Sequence, residues 1–326
     1  MKFSRNTVRQ ATVSGLPYFL AALLWVSATL ARATEPIFKT VKVSDRVYAL
    51  VGELTQRSPT NLGNNMTSGF IIADEGVVVV DSGGSAEGAK VIVEAVRAVT
   101  DKPILWVVNS GGQDHRWFGN DYFQRVVGAR VIASEPGVLD MKARGLPQFE
   151  AGKGNLGEKF AGTALAYPDV TFVKRRKLAV SGVDIELIES GGAHTKADIF
   201  VWLPGEKLVF AGDIVFVDRL LGIQPGMGLR WISALSYLRD ELRPVTVIPG
   251  HGEVATLGKA MKDSLGYLTL LRDGATQAFK NGAFDPVEAS QAIDQTPFSY
   301  LVNFTDAQFR SNNAIRMAEE VFASIR

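Results

Sequence analysis

Short apolar blocks alternate with polar turn residues along most of this chain. The stretch FKTVKVSDRVYALVG (38–52) predicts two strands with a turn at Ser44-Asp45. SGFIIADEGVVVVDSG (68–83) predicts a hairpin in the same way. SAEGAKVIVEAVRAVT (85–100) instead has apolar residues near helical spacing, and Ser85 stands where a helix N-cap would. PILWVVN and GARVIAS then predict two short buried strands.

The second half of the chain repeats this order. Residues 135–168 predict a helix and a loop over one rim, because they are richer in Gly, Pro and charge. DVTFV, LAVSGVDIELIES, DIFVWLP and KLVFAGD predict a second set of strands, WISALSYLRDEL a helix, and PVTVIPGHG a strand that enters a loop. Strands, a helix and strands, followed by the same order again, predict an α/β fold of the αββα sandwich type, with two sheets face to face and helices outside.

The first 33 residues have a different pattern. Lys2, Arg5 and Arg9 precede the apolar run GLPYFLAALLWVSATL, and Ala31-Arg32-Ala33 matches a small-x-small cleavage site. This predicts a signal peptide at residues 1–33 and an exported, periplasmic protein. The alternative is an uncleaved membrane anchor, but the run is shorter than the ~20 residues that a span usually needs.

Composition and charge indicate which classes of binding partner to expect. The chain is 46% hydrophobic and 21% charged, as in globular proteins, and we expect one domain over 34–326 with a helical extension from about 256 to 326. The leader holds four basic and no acidic residues, so the remainder has a net charge of −3. This charge argues against nucleic acid or a membrane surface as partner, and we expect a small-molecule substrate. The oligomeric state is not indicated.

All three histidines lie beside glycines, where apolar strands end. Loops at strand ends gather into clefts, so His115, His194, Asp213 and His251 could converge. Three imidazoles and a carboxylate are a reasonable zinc shell, and a chain without cysteine has to use such ligands. A lone loop histidine is usually just a hydrogen-bonded polar residue, but this pattern favours a functional cluster. The motifs are DSGG (81–84), GGQDHR (111–116), GGAHTKAD (191–198), AGD (211–213) and PGHG (249–252).

The order VVVVDSGG, VVNSGGQDHRWFGN, GGAHTKADIFVWLPGEKLVFAGDIVF and VIPGHGEV resembles the metallo-β-lactamase superfamily over about residues 38–255, closest in style to glyoxalase II-like and related exported members. The resemblance implies an αββα fold, a one- or two-metal centre and hydrolysis by metal-activated water. It implies His194 as a ligand of the first metal, Asp213 as the bridging carboxylate and His251 as a ligand of the second metal. It also implies that Asp81 supports the ligands from behind, and Asp81 could at the same time be an Asx-turn residue before Gly83.

The first histidine motif departs from the family. The usual His-x-His-x-Asp-His does not occur, and two registers are open. In the first register, Asp114-His115 keeps the last Asp-His pair. Ser110 and Gly112 then stand where the two leading histidines would be, and one extra residue precedes Gly119-Asn120.

The second register needs no gap. Gly111 and Gln113 then replace the two leading histidines, His115 replaces the aspartate and Arg116 replaces the last histidine. Neither register supplies the imidazoles of the first metal site, and Gln113 offers only an amide oxygen, which could support the ligands from the edge of the site.

The remaining ligands fill one metal site, not two. We expect one zinc per chain, held by His115, Asp213 and His251 with help from His194 or Asp114. Asp114 and Arg116 are the candidate catalytic residues. Arg116 could orient an anionic substrate or stand in for the missing cation, or it could be a solvated residue on the first turn of a helix.

Two hypotheses of function follow. The first is an exported metal-dependent hydrolase with a reduced, mononuclear site that acts on a small ester, thioester, lactone or amide. The alternative is a catalytically inactive binding or accessory protein on the same fold. β-Lactam hydrolysis has only the family resemblance in its favour. Candidate walls of the cleft are residues 53–65, 144–160 and 219–231.

Overall fold

Two β-sheets form the centre of the fold in the computed structural model, which describes residues 36–325. The predicted signal peptide at residues 1–33 lies outside the described residues. Within the described range, none of the helices combines the length and the apolar character that crossing a membrane requires.

The first sheet has seven strands that follow one another in chain order. They are Lys39–Lys42 (β1), Val47–Val51 (β2), Thr67–Ile72 (β3), Val77–Val80 (β4), Ile104–Val108 (β5), Arg130–Ser134 (β6) and Val170–Phe172 (β7). Strands β1 to β4 pair antiparallel, which confirms the predicted strand pair and hairpin. Strands β4 to β7 pair parallel.

The second sheet has six strands in the order β13-β12-β11-β10-β9-β8. They are Arg175–Leu178 (β8), Ile185–Glu189 (β9), Ile199–Leu203 (β10), Leu208–Phe216 (β11), Thr246–His251 (β12) and Ala255–Thr256 (β13). Only β11 and β12 pair parallel in this sheet. The stretch DVTFV was expected in this second set of strands, which is wrong, because it forms β7 and pairs with β6 at the edge of the first sheet.

The helices lie mainly after strands of the first sheet and in the C-terminal part, as predicted. They are Ala86–Arg97 (α1), Asp114–Trp117 (α2), Asn120–Tyr122 (α3), Glu135–Leu156 (α4), Gly228–Tyr237 (α5), Leu257–Ala260 (α6), Gly266–Lys280 (α7), Pro286–Gln291 (α8) and Ala307–Ile325 (α9). The side chain of Ser85 accepts a hydrogen bond from the Gly88 N–H, which confirms it as the N-cap of α1.

The run VVVV of β4 shows how the layers pack. Val78 and Val80 contribute to the core between the two sheets, whereas Val77 and Val79 pack in the cluster that contains Ile92 of α1. All four valines are buried, because the strand has a covered surface on both faces. A third cluster packs the outer face of the second sheet against α5, α7 and α9. This arrangement is the predicted αββα sandwich.

Candidate metal centre

Three of the four predicted ligands meet at one point. The ligand atoms of His115, Asp213 and His251 lie within 4.8 Å of one another, and all three residues are buried. His115 Nε2 lies 3.2 Å from Asp213 Oδ2, and His251 Nε2 lies 3.3 Å from Asp213 Oδ1. Asp213 belongs to β11 and His251 ends β12, so the parallel pairing of these strands brings them together. His115 comes from α2, in the loop that follows β5 of the other sheet.

His194 lies outside this group of three but lines the same cavity as His115 and His251. Its ring centroid lies 5.4 Å from that of Trp231 and 5.8 Å from that of Phe216. Burial lowers the pKa of His194 to about 4 against the opposing charge of Asp213, so the ring is neutral at pH 7. Its Nδ1 atom has no hydrogen-bond partner among residues 36–325.

The facing atoms of His115 and Asp213 are both unsatisfied. His115 Nε2 and Asp213 Oδ2 are buried, and neither makes a hydrogen bond within the described part of the chain. His115 Nδ1 lies 3.2 Å from Asp114 Oδ1 and 2.5 Å from Arg57 Nη2; a proton on Nδ1, donated to Asp114, would leave a lone pair on Nε2 for a metal. Buried polar atoms without a partner are costly. An imidazole lone pair and a carboxylate oxygen placed in this way fit a divalent cation.

The protonation states also suit a metal. Burial would raise the pKa of Asp213, but Arg116 and the two neighbouring histidines outweigh burial and hold that pKa well below its usual range. Burial lowers the pKa of His251 well below its usual value, against the effect of Asp213. Asp213 is therefore a carboxylate and His251 a neutral imidazole at pH 7, which are the forms that bind metals.

Arg116 is completely buried behind Asp213. Its Nη2 atom donates to Asp213 Oδ1 at 2.6 Å and to the Gly250 carbonyl at 2.9 Å, and its Nη1 atom donates to Asp81 Oδ2 at 2.9 Å and to the Thr67 carbonyl at 3.0 Å. The alternative of a solvated helix residue is therefore wrong. Arg116 is not among the residues that line the cavity, so it has no direct contact with a substrate bound there. Its hydrogen bond to Asp213 instead positions that carboxylate.

Asp81 supports the site through Arg116 and Ser110. Its Oδ1 atom accepts from the Ser110 N–H at 2.7 Å, and its Oδ2 atom accepts from the Ser110 hydroxyl at 2.8 Å. Asp81 directly follows β4, and Arg116 lies between it and Asp213. It fixes the guanidinium that in turn fixes Asp213.

Asp114 and Gln113 lie on either side of the start of α2. The carboxylate of Asp114 accepts from Arg57 and from the His115 N–H at 2.9 Å. Burial would raise the pKa of Asp114, but Arg57 and His115 hold it well below its usual range. Asp114 is therefore an ionised group that orients His115. Gln113 lines the cavity, and its side-chain oxygen accepts from Arg144 at 3.2 Å.

The geometry does not fit the gapped register of the first motif. The hydroxyl of Ser110 bonds to Asp81, and a Cβ atom added at Gly112 would lie 2.2 Å from Asp140 Oδ2. Side chains at these two positions therefore point toward two different aspartates, Asp81 and Asp140, and not toward one shared metal site.

The ungapped register agrees better with the structure. A Cβ atom at Gly111 would point toward Asp198 Oδ1, 2.5 Å away, and toward the Thr195 hydroxyl, 4.0 Å away, and Gln113 lines the cavity with His194. Asp198 accepts from the Thr195 N–H at 2.6 Å and the Thr195 hydroxyl at 2.9 Å. Burial raises the pKa of Asp198 to about 7, and these hydrogen bonds work against that rise. The side of the cavity near His194 therefore lacks the two leading imidazoles.

The sequence did not single out two arginines that line the cavity, Arg57 and Arg219. They lie in two of the segments predicted as cleft walls, but a lone arginine in a loop carries no sequence signal of burial. Arg219 is 7% exposed, its Nη1 atom donates to the Thr55 carbonyl at 3.1 Å, and the same atom lies 3.3 Å from His251 Nδ1. Burial, followed by the charge of Arg57, lowers the pKa of Arg219 to about 10, so it stays a cation at pH 7.

The cavity has a volume of about 180 Å³. A second cavity of about 180 Å³ adjoins it, because His194 and Gln224 line both. Arg144 lines the second cavity and pairs with Asp140. Two of the three candidate ligands, His115 and His251, line the first cavity.

The comparisons with known proteins agree with this architecture. The family model described as "Metallo-beta-lactamase superfamily" matches residues 63–251. Among solved structures, a metallo-beta-lactamase from Pontibacter korlensis is 22% identical with a TM-score of 0.56, and the match covers 71% of this chain and 99% of that one. The DIM-1 metallo-beta-lactamase is 18% identical with a TM-score of 0.54 over 72% of this chain and 97% of that one.

A third solved structure is the stereoselective inverting sec-alkylsulfatase Pisa1 from Pseudomonas sp., 16% identical with a TM-score of 0.63. That match covers 86% of this chain and 50% of the alkylsulfatase, so this chain spans half of that protein's length. At such identities the three structures show a shared fold, and a fold does not fix a substrate.

Proposed function

The chain belongs to the metallo-beta-lactamase superfamily, and from this we propose that it is a hydrolase with a single zinc ion bound by His115, Asp213 and His251. The observation that carries the proposal is the buried pair of His115 Nε2 and Asp213 Oδ2, which lie 3.2 Å apart without a hydrogen-bond partner among the described residues. A zinc ion bound there would supply a Lewis acid and would lower the pKa of a bound water toward 7.

The proposal of one metal follows from the ligand supply. Gly111 and Gln113 cannot provide the imidazoles of a first site, and on that side His194 is left without a second histidine. Arg116 also places a positive charge 2.6 Å from Asp213 Oδ1, the carboxylate that would have to bridge two metals. A cation so close disfavours a second divalent ion.

The chain's own residues then have separate tasks. Arg116 holds the carboxylate of Asp213 in place, and Asp114 orients the ring of His115. His194 is neutral at pH 7, and its unpartnered Nδ1 or a proton on that atom is available for a hydrogen bond to a substrate or water. The aromatic rings of Phe216 and Trp231 beside it limit the access of bulk water.

The substrate class and the location are also part of the proposal. The cavity volume of about 180 Å³ favours a small substrate, since pockets that bind drug-sized ligands usually measure roughly 300 Å³ or more. We propose a small ester, thioester, lactone or amide, in line with the hydrolytic chemistry of the family. The leader pattern at residues 1–33 supports export to the periplasm.

The direct test is a calorimetric titration of metal-stripped protein with zinc. We expect one tight equivalent per chain, no tight binding by His251→Ala, and only slightly weaker binding by Gln113→Ala, the matched control on the cavity wall. Two tight equivalents would contradict the reduced site, and none would contradict the metal-dependent hydrolase.

One observation favours the alternative of an inactive binding or accessory protein. The guanidinium groups of Arg57 and Arg219 lie 2.5 Å and 3.3 Å from the outer nitrogen atoms of His115 and His251, so hydrogen bonds could hold both imidazoles without a metal. A zinc-loaded protein that hydrolyses no member of an ester, thioester, lactone and amide panel would favour this alternative.

A further inference from the structure

Arg219 is a buried cation with few partners. The ion pairs around the centre join Arg57 to Asp114 and Arg116 to Asp81 and Asp213, and Arg219 takes part in none of them. Its Nη1 atom has the Thr55 carbonyl and the ring of His251 as neighbours, and its Nε atom has no hydrogen-bond partner within residues 36–325. A charged group that is 93% buried and so poorly compensated is costly in a folded protein.

The surroundings increase this cost. Arg57 lines the same cavity and carries a like charge, and two like charges on one small cavity repel each other. If His251 Nε2 binds a metal, Nδ1 keeps its proton, and Arg219 loses that ring as an acceptor. The adjoining cavity offers a contrast, because Arg144 there already has Asp140 as its counter-ion.

An anion in the cavity would compensate the charge of Arg219 and would lie near Arg57, which lines the same cavity. A guanidinium presents its donors in a planar fork that matches two oxygen atoms of a carboxylate, sulfate or phosphate group. The open Nε atom of Arg219 is one of those donors. Arg57 is already engaged with Asp114, so Arg219 has more donor capacity to offer.

We propose that Arg219, with Arg57 beside it, binds an anionic oxygen group of the substrate. Because Arg219 lies 3.3 Å from His251 in a cavity of about 180 Å³, the anionic group and the bond to be cleaved belong to the same small molecule. The substrate is thus a small acyl compound that also carries an oxyanion. The assignment of that anion to a substrate rests on the proposed function, whereas the anion site itself does not.

Anion binding can be measured without turnover. The full-length protein, metal-stripped and zinc-loaded, is titrated by calorimetry with sodium acetate and with sodium sulfate, which separates a planar carboxylate site from a tetrahedral one. We expect saturable binding of one anion, and a loss of about 10-fold or more in affinity for Arg219→Gln, because this variant loses charge-assisted hydrogen bonds to the anion.

Two further variants keep the result interpretable. Arg219→Lys retains the charge without the fork and should fall between the wild type and Arg219→Gln. Arg144→Gln removes an arginine that already has a carboxylate partner, so the affinity should change less than twofold. Thermal melting shows that each variant is folded. No saturable anion binding, or equal losses for Arg219→Gln and Arg144→Gln, would overturn the proposal.

A kinetic experiment separates this proposal from the proposed function. The hydrolysis of neutral 4-nitrophenyl acetate is compared with that of the anionic mono-4-nitrophenyl succinate. We expect the ratio of kcat/KM for the anionic to the neutral ester to fall at least tenfold in Arg219→Gln. Anion binding without any hydrolysis would support the anion site and contradict the proposed hydrolase. Hydrolysis with an unchanged ratio would retain the hydrolase and contradict the anion site.

Discussion

Arg116 and Asp213 form the ion pair on which the geometry of the candidate metal centre depends. Both side chains are almost completely buried, and Asp81 and the Thr67 and Gly250 carbonyls complete the donor positions of the guanidinium. Removing one partner of a buried pair usually costs about 3–5 kcal/mol, because the other charge is left uncompensated. The arginine thus contributes to stability and to the position of a candidate ligand with the same contacts.

Because its pKa is lowered, the buried His194 makes the free energy of unfolding depend on pH. Its pKa is about 4 in the folded protein and near 6.5 when unfolded, so between these values the unfolded chain binds the proton more tightly. The contribution of His194 to the free energy of unfolding is therefore fully present above pH 6.5 and is lost as the pH falls toward 4. Asp198, with a pKa raised to about 7, has the opposite effect in this window.

A comparison with His194→Gln isolates the histidine, because Asp198 is present in both proteins. Relative to this variant, metal-free wild-type protein should lose up to about 3 kcal/mol of unfolding free energy between pH 6.5 and 4, at about 1.4 kcal/mol per pKa unit. Urea denaturation at several pH values measures the difference. A difference that stays constant over this range would show that His194 is not held neutral by burial.

At the scale of secondary structure, the parallel strands β11 and β12 leave no room for a side chain at Gly250, beside the ligands. A Cβ atom at Gly250 would lie 2.4 Å from the carbonyl carbon and oxygen of Gly212, and 2.6 Å from Arg116 Nη2. Only glycine permits this approach, which places His251 beside Asp213.

Gly250→Ala should therefore destabilise the fold by about 1–3 kcal/mol and weaken zinc binding, because the strands must move apart. Gly205→Ala is the matched control, since a Cβ atom at Gly205 meets nothing within 4 Å. Chemical denaturation and zinc calorimetry on both variants are the measurements. Equal stability of the two variants would mean that the strand spacing at Gly250 is not restrictive.

The elements show which part of the structure a sequence can predict. Blocks such as VVVV and the Ser85 cap carry local signals, so the strands around β4 and the start of α1 were predicted correctly. The sheet to which β7 belongs was not, because an apolar pattern of three to five residues does not specify which edge strand it pairs with. The burial of Arg116 had no local signal either, since its partner Asp213 lies 97 positions away.

At the scale of the whole molecule, the candidate metal centre joins the two sheets. His115 follows the first sheet, whereas Asp213 and His251 belong to the second, so a metal ion would link both halves of the sandwich. Without a metal, these three buried polar residues destabilise this part of the fold, because two of their atoms lack partners among the described residues. Metal binding that requires the folded arrangement must stabilise the folded state.

Zinc should therefore raise the midpoint of thermal unfolding. At a free zinc concentration of about 100 times Kd, the native state gains about 2.7 kcal/mol, which corresponds to a rise of roughly 4 °C for a protein of this size. Differential scanning calorimetry of metal-stripped protein with and without zinc is the measurement. His251→Ala should show no rise, while Gln113→Ala should retain most of it. A rise that persists in His251→Ala would place the zinc elsewhere, and no rise in the wild type would mean that the sandwich is held together without a metal between its sheets.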